Sequence, residues 1–174
     1  MISIIIILAG LILATSGYVQ KKGARSRAEA EIAAMSAALE SYKADNGIYP
    51  RTDKTDALDP KSHFNPDPNK NPDVQYFDAT VSLYPLLSGR TANQTAIPNA
   101  NTYFAFKPQM LGGTRDASGN ITKVTFIRDP TGNSYGYSTI NQLTPGAGYN
   151  PTFDLWSTAG ETTQAGTPQW IKNW

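Results

Sequence analysis

The first 20 residues, MISIIIILAGLILATSGYVQ, contain no Asp, Glu, Lys, Arg or His, and the first charges are Lys21 and Lys22. The following stretch, RSRAEAEIAAMSAALESYKADNG, keeps a helical pattern but is amphipathic. A rod that is apolar at one end and half-polar at the other needs a solvent that changes along its length. A membrane or protein core around the first part, and water along one face of the second, supply that change. An ordinary soluble fold would have to surround the apolar part with further helices, and the rest of the chain offers few.

The apolar run is rich in isoleucine, yet it is too long for a typical strand and ends without a turn signal. As a helix, Met1 to Ala14 would span roughly 20 Å, and extension through Val19 brings it to ~29 Å, close to the ~30 Å hydrocarbon core of a bilayer. A cleavable secretory signal is the competing reading. Ala14-Thr15-Ser16 fits a cleavage site, but no basic residue precedes the apolar run. Lys21, Lys22, Arg25 and Arg27 form the only basic cluster, placed where cations meet anionic headgroups. With a net charge of +1 and no longer basic run, nucleic acid is not an expected partner.

From Ala24 the apolar positions become periodic. Ala24, Ala28, Ile32, Met35, Leu39 and Tyr42 recur every three or four residues and make one stripe. Ile32, Met35, Leu39 and Tyr42 are the residues expected to pack the helix on a sheet. The opposite face carries Arg25, Glu29, Glu40 and Lys43. Asn46-Gly47 supplies a C-terminal cap, and Pro50 forbids resumption. The organisation read from this is an apolar helix over 1–20, its amphipathic continuation over 21–47, and a globular part over 48–174. Gly17 and Gly23 are the points where the helix would soften.

The globular part opens with an irregular loop at about 51–75, rich in Asp and Pro. A short helix is expected over Ala79 to Leu87, ended by Ser88-Gly89. Strands are expected over Thr102–Lys107, Thr122–Arg128, Ser134–Ser138 and Thr152–Trp156, separated by Gly/Asn/Asp/Pro punctuation. These make a small antiparallel sheet, too small to stand alone, with one face covering the helix stripe. The fold class is α+β.

Four motifs follow the apolar helix in a set order: AALESYKADNGIYP (Ala37 to Pro50), DPTGNSYGYS (Asp129 to Ser138), FDLWSTAG (Phe153 to Gly160) and WIKNW (Trp170 to Trp174). With that helix, the chain resembles the type IV pilin superfamily, most of all the major pseudopilin of type II secretion systems. The resemblance implies a pilin-like structural subunit, not an enzyme. Its apolar half-helix (Ile4, Ile5, Ile6, Ile7, Leu8, Leu11, Ile12 and Leu13) would sit in the bacterial inner membrane before assembly. It would then pack against copies of itself in the core of a helical filament. Separate ATPase and platform machinery would drive assembly, and the product would be extracellular or periplasmic: a surface pilus or a secretion pseudopilus. Family members carry a Glu at the fifth position of the mature chain. Here Ile5 stands at that number and no acid precedes Glu29, so either Met1 aligns just after that Glu, with about five residues ahead of it, or the subunit lacks it; the first is the expectation.

Related secretion subunits bind calcium in the loop after the FD-S-G element through several aspartates. Here that loop, STAGETTQAGTPQ, offers only Glu161, and calcium is not expected there. A second calcium candidate is Asp67, Asn69, Asn71, Asp73 and Asp78, whose spacing follows an EF-hand loop. Pro72 stands where that loop needs Gly, and a solvated Asx/Pro loop is the competing reading. No other cofactor is expected. The chain has no cysteine and a single histidine, His63, so thiol chemistry and histidine-based zinc sites are excluded. Any Ser-His-Asp catalysis would rest on His63 alone. Asn93-Gln94-Thr95 and Asn120-Ile121-Thr122 fit the glycan acceptor pattern. Trp170, Ile171 and Trp174 at the C-terminus are expected to dock on the subunit's own sheet or helix, against Phe153 or Trp156. Contact with the next subunit is the alternative. The function from a different class is a membrane-anchored monomeric binding module, for glycans, using exposed Tyr and Trp.

Overall fold

The computed structural model describes residues 2–174, with side chains described from Gly17 onward. α1 (Ile2–Asn46) is one continuous helix that runs through Gly17 and Gly23 without a break. Its alanines favour helix, and Arg25–Glu29 (3.4 Å) and Arg27–Glu31 (3.3 Å) link successive turns. Gly47 ends it in the left-handed region (φ +78°), its N–H donating to the Lys43 carbonyl at 2.8 Å. Ala28, Ile32, Met35, Ala38 and Leu39 are buried along one stripe. Tyr42 is half-buried at the stripe's end, edge-on to Tyr103 with ring centroids 5.2 Å apart.

The rest of the chain adds α2 (Asp53–Ala57), α3 (Gln75–Ser88), β1 (Leu111–Arg115), β2 (Ile121–Ile127), β3 (Gly136–Ser138), α4 (Ile140–Leu143), β4 (Asp154–Ser157) and β5 (Ile171–Lys172). The architecture is α+β, with all described strand pairs antiparallel. The main core brings the α1 stripe together with Leu83 and Leu87 of α3, Val124 and Ile127 of β2, Tyr137 of β3, Leu155 of β4 and Ile171 of β5. A second cluster joins Leu58, Tyr76, Ala79, Trp156 and Trp170.

Several expectations are corrected. The strands form two sheets rather than one: a ribbon β1-β2 and a three-stranded sheet β3-β4-β5. Thr102–Lys107 is not a strand. Its Tyr103 and Phe104 N–H groups both reach the Leu87 carbonyl, at 2.8 and 2.9 Å, so the free end of α3 takes the bonds a neighbouring strand would have taken. The missing strand is Leu111–Arg115, whose two glycines hide it from a search for β-branched runs. Both are steric requirements. A Cβ on Gly112 would lie 2.2 Å from the Phe126 ring, and one on Gly113 (φ +150°) 1.9 Å from the Lys123 carbonyl oxygen. The loop at 51–75 contains α2, started by a capping box in which Thr52 and Thr55 bond each other's backbone N–H at 3.2 and 2.9 Å. The helix expected from Ala79 begins a turn earlier, at Gln75.

Candidate functional site

The long helix is the element on which the expected function depends, and polar contacts fix it to the globular part along its length. Near its exit, the Arg25 guanidinium donates to the Gln169 carbonyl at 2.8 Å. A turn later, Tyr135 donates its hydroxyl to Glu31 at 2.7 Å, and Arg27 flanks the same carboxylate. Burial raises the Tyr135 hydroxyl far above its ordinary pKa, and the Glu31 charge adds to it, so the phenol stays a donor. At the far end Tyr49 donates to Glu40 at 3.0 Å, and Tyr103 donates to Asp45 at 3.1 Å. Glu31 went unnoticed in the sequence because it looks like one more member of a charged helix face. The periodicity places it between Ala28 and Ile32, beside the buried stripe.

Toward its N-terminus α1 leaves the globular part. Residues 18–23 are all exposed, with Tyr18 at 71% and Val19 at 65%. At this exit a cleft of about 710 Å³ opens between α1, the loops carrying Pro130 and Ala159, and Ile171 of β5. The expected assembly residues Ile4, Ile5, Ile6, Ile7, Leu8, Leu11, Ile12 and Leu13 lie outside the residues whose side chains are described. Among the described residues no helix is long and apolar enough to cross a membrane.

The motif DPTGN and the motif FDLWSTAG meet at one buried carboxylate. Asp129 is 2% exposed and accepts from the Thr131 N–H (2.8 Å) and hydroxyl (2.7 Å), the Asn133 N–H (3.0 Å) and the Ser157 hydroxyl (2.5 Å). Burial raises its pKa in spite of those donors. The role is structural: it closes the turn and ties it to β4.

The calcium candidates do not converge. Among the described residues no three acidic or histidine side chains are placed to hold a metal ion. Asp73 accepts from the Phe64 and Asn65 N–H groups at 2.8 and 3.0 Å, and Asp78 pairs with Lys54 at 3.0 Å. Asp67 faces Lys70 at 3.4 Å and accepts from the Asn69 N–H, which lowers its pKa. Asn71 sits at φ +48° and gives its carbonyl to Asn65. The Asp67 and Asp73 carboxylates thus accept from backbone N–H groups of their own loop, and Asp78 is tied to α2 instead. Glu161 packs its stem against Gly166, where a Cβ would lie 2.5 Å away. His63 does not form a triad: the Asp59 carboxylate takes the Ser62 hydroxyl at 2.8 Å instead of orienting the imidazole.

The C-terminal residues lie on their own chain. β5 pairs with β4, Ile171 enters the main core, and Trp170 stacks on Trp156 with centroids 5.8 Å apart and planes 11° from parallel. Trp174 meets Trp156 edge-on at 5.9 Å and stacks on Tyr149 at 4.6 Å. No family model, curated protein or solved structure matches the chain.

Proposed function

We propose that this chain is a structural subunit that polymerises through its N-terminal helix into a filament of the type IV pilus or pseudopilus kind. The observation that carries the reading is the mismatch along α1. One helix runs from Ile2 to Asn46, and among its described residues burial begins only at Ala28. The exposed stretch before that joins a segment with no charge through residue 20. Such a segment is unstable in water, since burying each large aliphatic side chain contributes ~1.5–3 kcal/mol. A bilayer before assembly and copies of the same helix afterwards are the two environments that cover it. Assembly machinery outside the chain belongs to this proposal, and so does the inner-membrane location of the unassembled subunit.

The glycan-binding alternative is less supported. Trp156 and Trp170 are buried. Tyr149, which is exposed, already has partners at its ring, with Trp174 stacked at 4.6 Å and the Lys61 ammonium 5.1 Å from its centroid.

Electron microscopy of filaments, with density traced to this sequence, tests the proposal. Leu11→Lys should abolish assembly, because a charge in a helix core or bilayer is costly. Filaments of Leu11→Lys at normal yield would refute the packing account.

A further inference from the structure

The cleft at the exit of α1 changes character along the helix. Tyr18, Lys21, Arg25 and Ala28 recur every three or four residues, so they share one face of α1, and all four line the cleft. From Ala28 onward that face is buried against the globular part, and before it Tyr18, Lys21 and Arg25 are exposed. Arg25 is already engaged, with Glu29 at 3.4 Å and the Gln169 carbonyl at 2.8 Å. Lys21 and Lys22, which also lines the cleft, belong to no ion pair among the described residues. Farther from the uncharged segment the lining is small, with Ala24, Ala28, Ala159 and Gly160, and Thr131 and Glu161 add polar groups. We propose that this cleft binds one anionic glycerophospholipid. Its phosphate lies on Lys21 and Lys22, its headgroup enters between Ala24, Ala28 and Ala159, and its acyl chains follow the uncharged residues before Lys21. The inference rests on the membrane-inserted state of the subunit in the reading above.

Two observations select that occupant. The first is order. Along α1 come an uncharged stretch through residue 20, two unpaired ammonium groups, and then a small-walled cleft. A glycerophospholipid has the same order: acyl chains, phosphate, headgroup. A free anion would match only the last two parts. At about 710 Å³ the cleft falls within the roughly 300–1,000 Å³ of ordinary ligand sites. Tyr18, 71% exposed at the boundary, has the amphipathic ring that suits the headgroup level. The second is charge. Arg25 is offset by Glu29, and Glu161 opposes one of the two free lysines, so the site keeps one net positive charge. Ammonium groups are compact point charges that suit phosphate oxygens. The Glu161 side chain lies over Gly166 and is left to accept from a headgroup hydroxyl, as a glycerol headgroup would provide. A choline or ethanolamine headgroup would instead bring a second cation beside Arg25.

The test is native mass spectrometry of the full-length chain released from non-ionic detergent micelles, titrated with phosphatidylglycerol, phosphatidylcholine or phosphatidylethanolamine. One phosphatidylglycerol per chain should be retained in preference to the two zwitterionic lipids, and excess glycerol 3-phosphate should not displace it. The double variant Lys21→Gln, Lys22→Gln should weaken retention roughly 30-fold. Lys123→Gln, exposed on β2, should leave it unchanged. Ala24→Trp fills the cleft without changing its charge and should lower retention about tenfold or more, at an unchanged melting temperature. If Ala24→Trp melts early, phosphatidylglycerol with a photoreactive headgroup decides on the wild-type chain: labels should fall on residues 24–28 and 159–161, and labels elsewhere overturn the inference. Equal retention of the three lipids, displacement by glycerol 3-phosphate, or wild-type retention by the double lysine variant also overturns it, and each leaves the filament reading standing. A chain that does not float with phosphatidylglycerol vesicles has no membrane-inserted state and overturns both.

Discussion

Trp170→Ala should destabilise the subunit strongly, and Trp170→Phe should not. Trp170 is 3% exposed, stacked on Trp156 and 6.2 Å from the Phe64 ring. A tryptophan buries ~150–250 Å², which at ~25 cal/mol per Å² corresponds to about 4–6 kcal/mol. Truncations of this kind cost ~3–5 kcal/mol, so about 4 kcal/mol is a reasonable expectation. For a chain of this size that is a fall in melting temperature of about 8–16 °C. The indole Nε1, however, is buried with no hydrogen-bond partner. Burying an unpaired donor costs ~1–3 kcal/mol. Trp170→Phe keeps most of the ring contact and removes that donor, so its net effect should fall within about 1 kcal/mol of wild type. The assay is thermal denaturation of the full-length chain in detergent micelles, followed by near-ultraviolet circular dichroism, which reports on the stacked indoles. If Trp170→Ala melts with wild type, the tail contributes nothing to the fold. If Trp170→Phe falls as far as Trp170→Ala, the unpaired donor is not a cost and the reasoning fails.

Tyr135→Phe removes the donor to half-buried Glu31 and should cost ~1.5–3 kcal/mol in urea unfolding, because hydrogen bonds to charged groups are among the stronger ones; no loss would mean that Arg27 alone satisfies the carboxylate. Burial raises the Asp129 pKa, so over the window above the ordinary carboxylate value the folded chain holds a proton that the unfolded chain has lost. That group's contribution is complete below the ordinary value and declines as pH rises through the folded one. The stability advantage of wild type over Asp129→Asn should therefore shrink from about pH 4 upward, and an advantage that grows with pH would contradict the assignment. Chelation with EGTA should leave the melting temperature unchanged, since the candidate oxygens are engaged within their own loop; a marked drop would show a bound ion and return attention to Asp67 and Asp73.

The helix was legible because its signals are local and repeated. The stripe Ala28, Ile32, Met35 and Leu39 is a period, Gly47 is a stop, and both follow from neighbours within a few residues. The ribbon was half legible: Thr122–Arg128 reads as a strand from its own β-branched residues, and β2 lies one residue earlier, at Ile121–Ile127. Its partner Leu111–Arg115 does not, because its glycines are dictated by the Phe126 ring and the Lys123 carbonyl across the ladder. Thr102–Lys107 misled for the complementary reason. Tyr103, Phe104 and Phe106 are aromatic because they pack against the main core, and their backbone is claimed by the end of α3. In the candidate calcium loop, the spacing of Asp67 to Asp78 was real, but side-chain oxygens at alternate positions serve turns as readily as cations.

The C-terminus and the exit of the helix belong to one structural unit. Gln169 accepts from Arg25, Trp170 locks onto Trp156, and Ile171 both fills the core beneath α1 and lines the cleft. β5 is only two residues long, so its pairing with β4 is weak by itself; the indole stack and the Asn173 hydrogen bonds to Phe153 and Leu155 add to it and hold the tail in register. Trp156 in turn sits over Gly136, where a Cβ would lie 2.1 Å from its ring, so the glycine of the SYGYS motif is what lets the indole lie flat across the strand pair. Gly136, Trp156 and Trp170 thus form a short column, and the wall of the cleft continues directly from its last member. A change anywhere in that column should reach the cleft through Ile171.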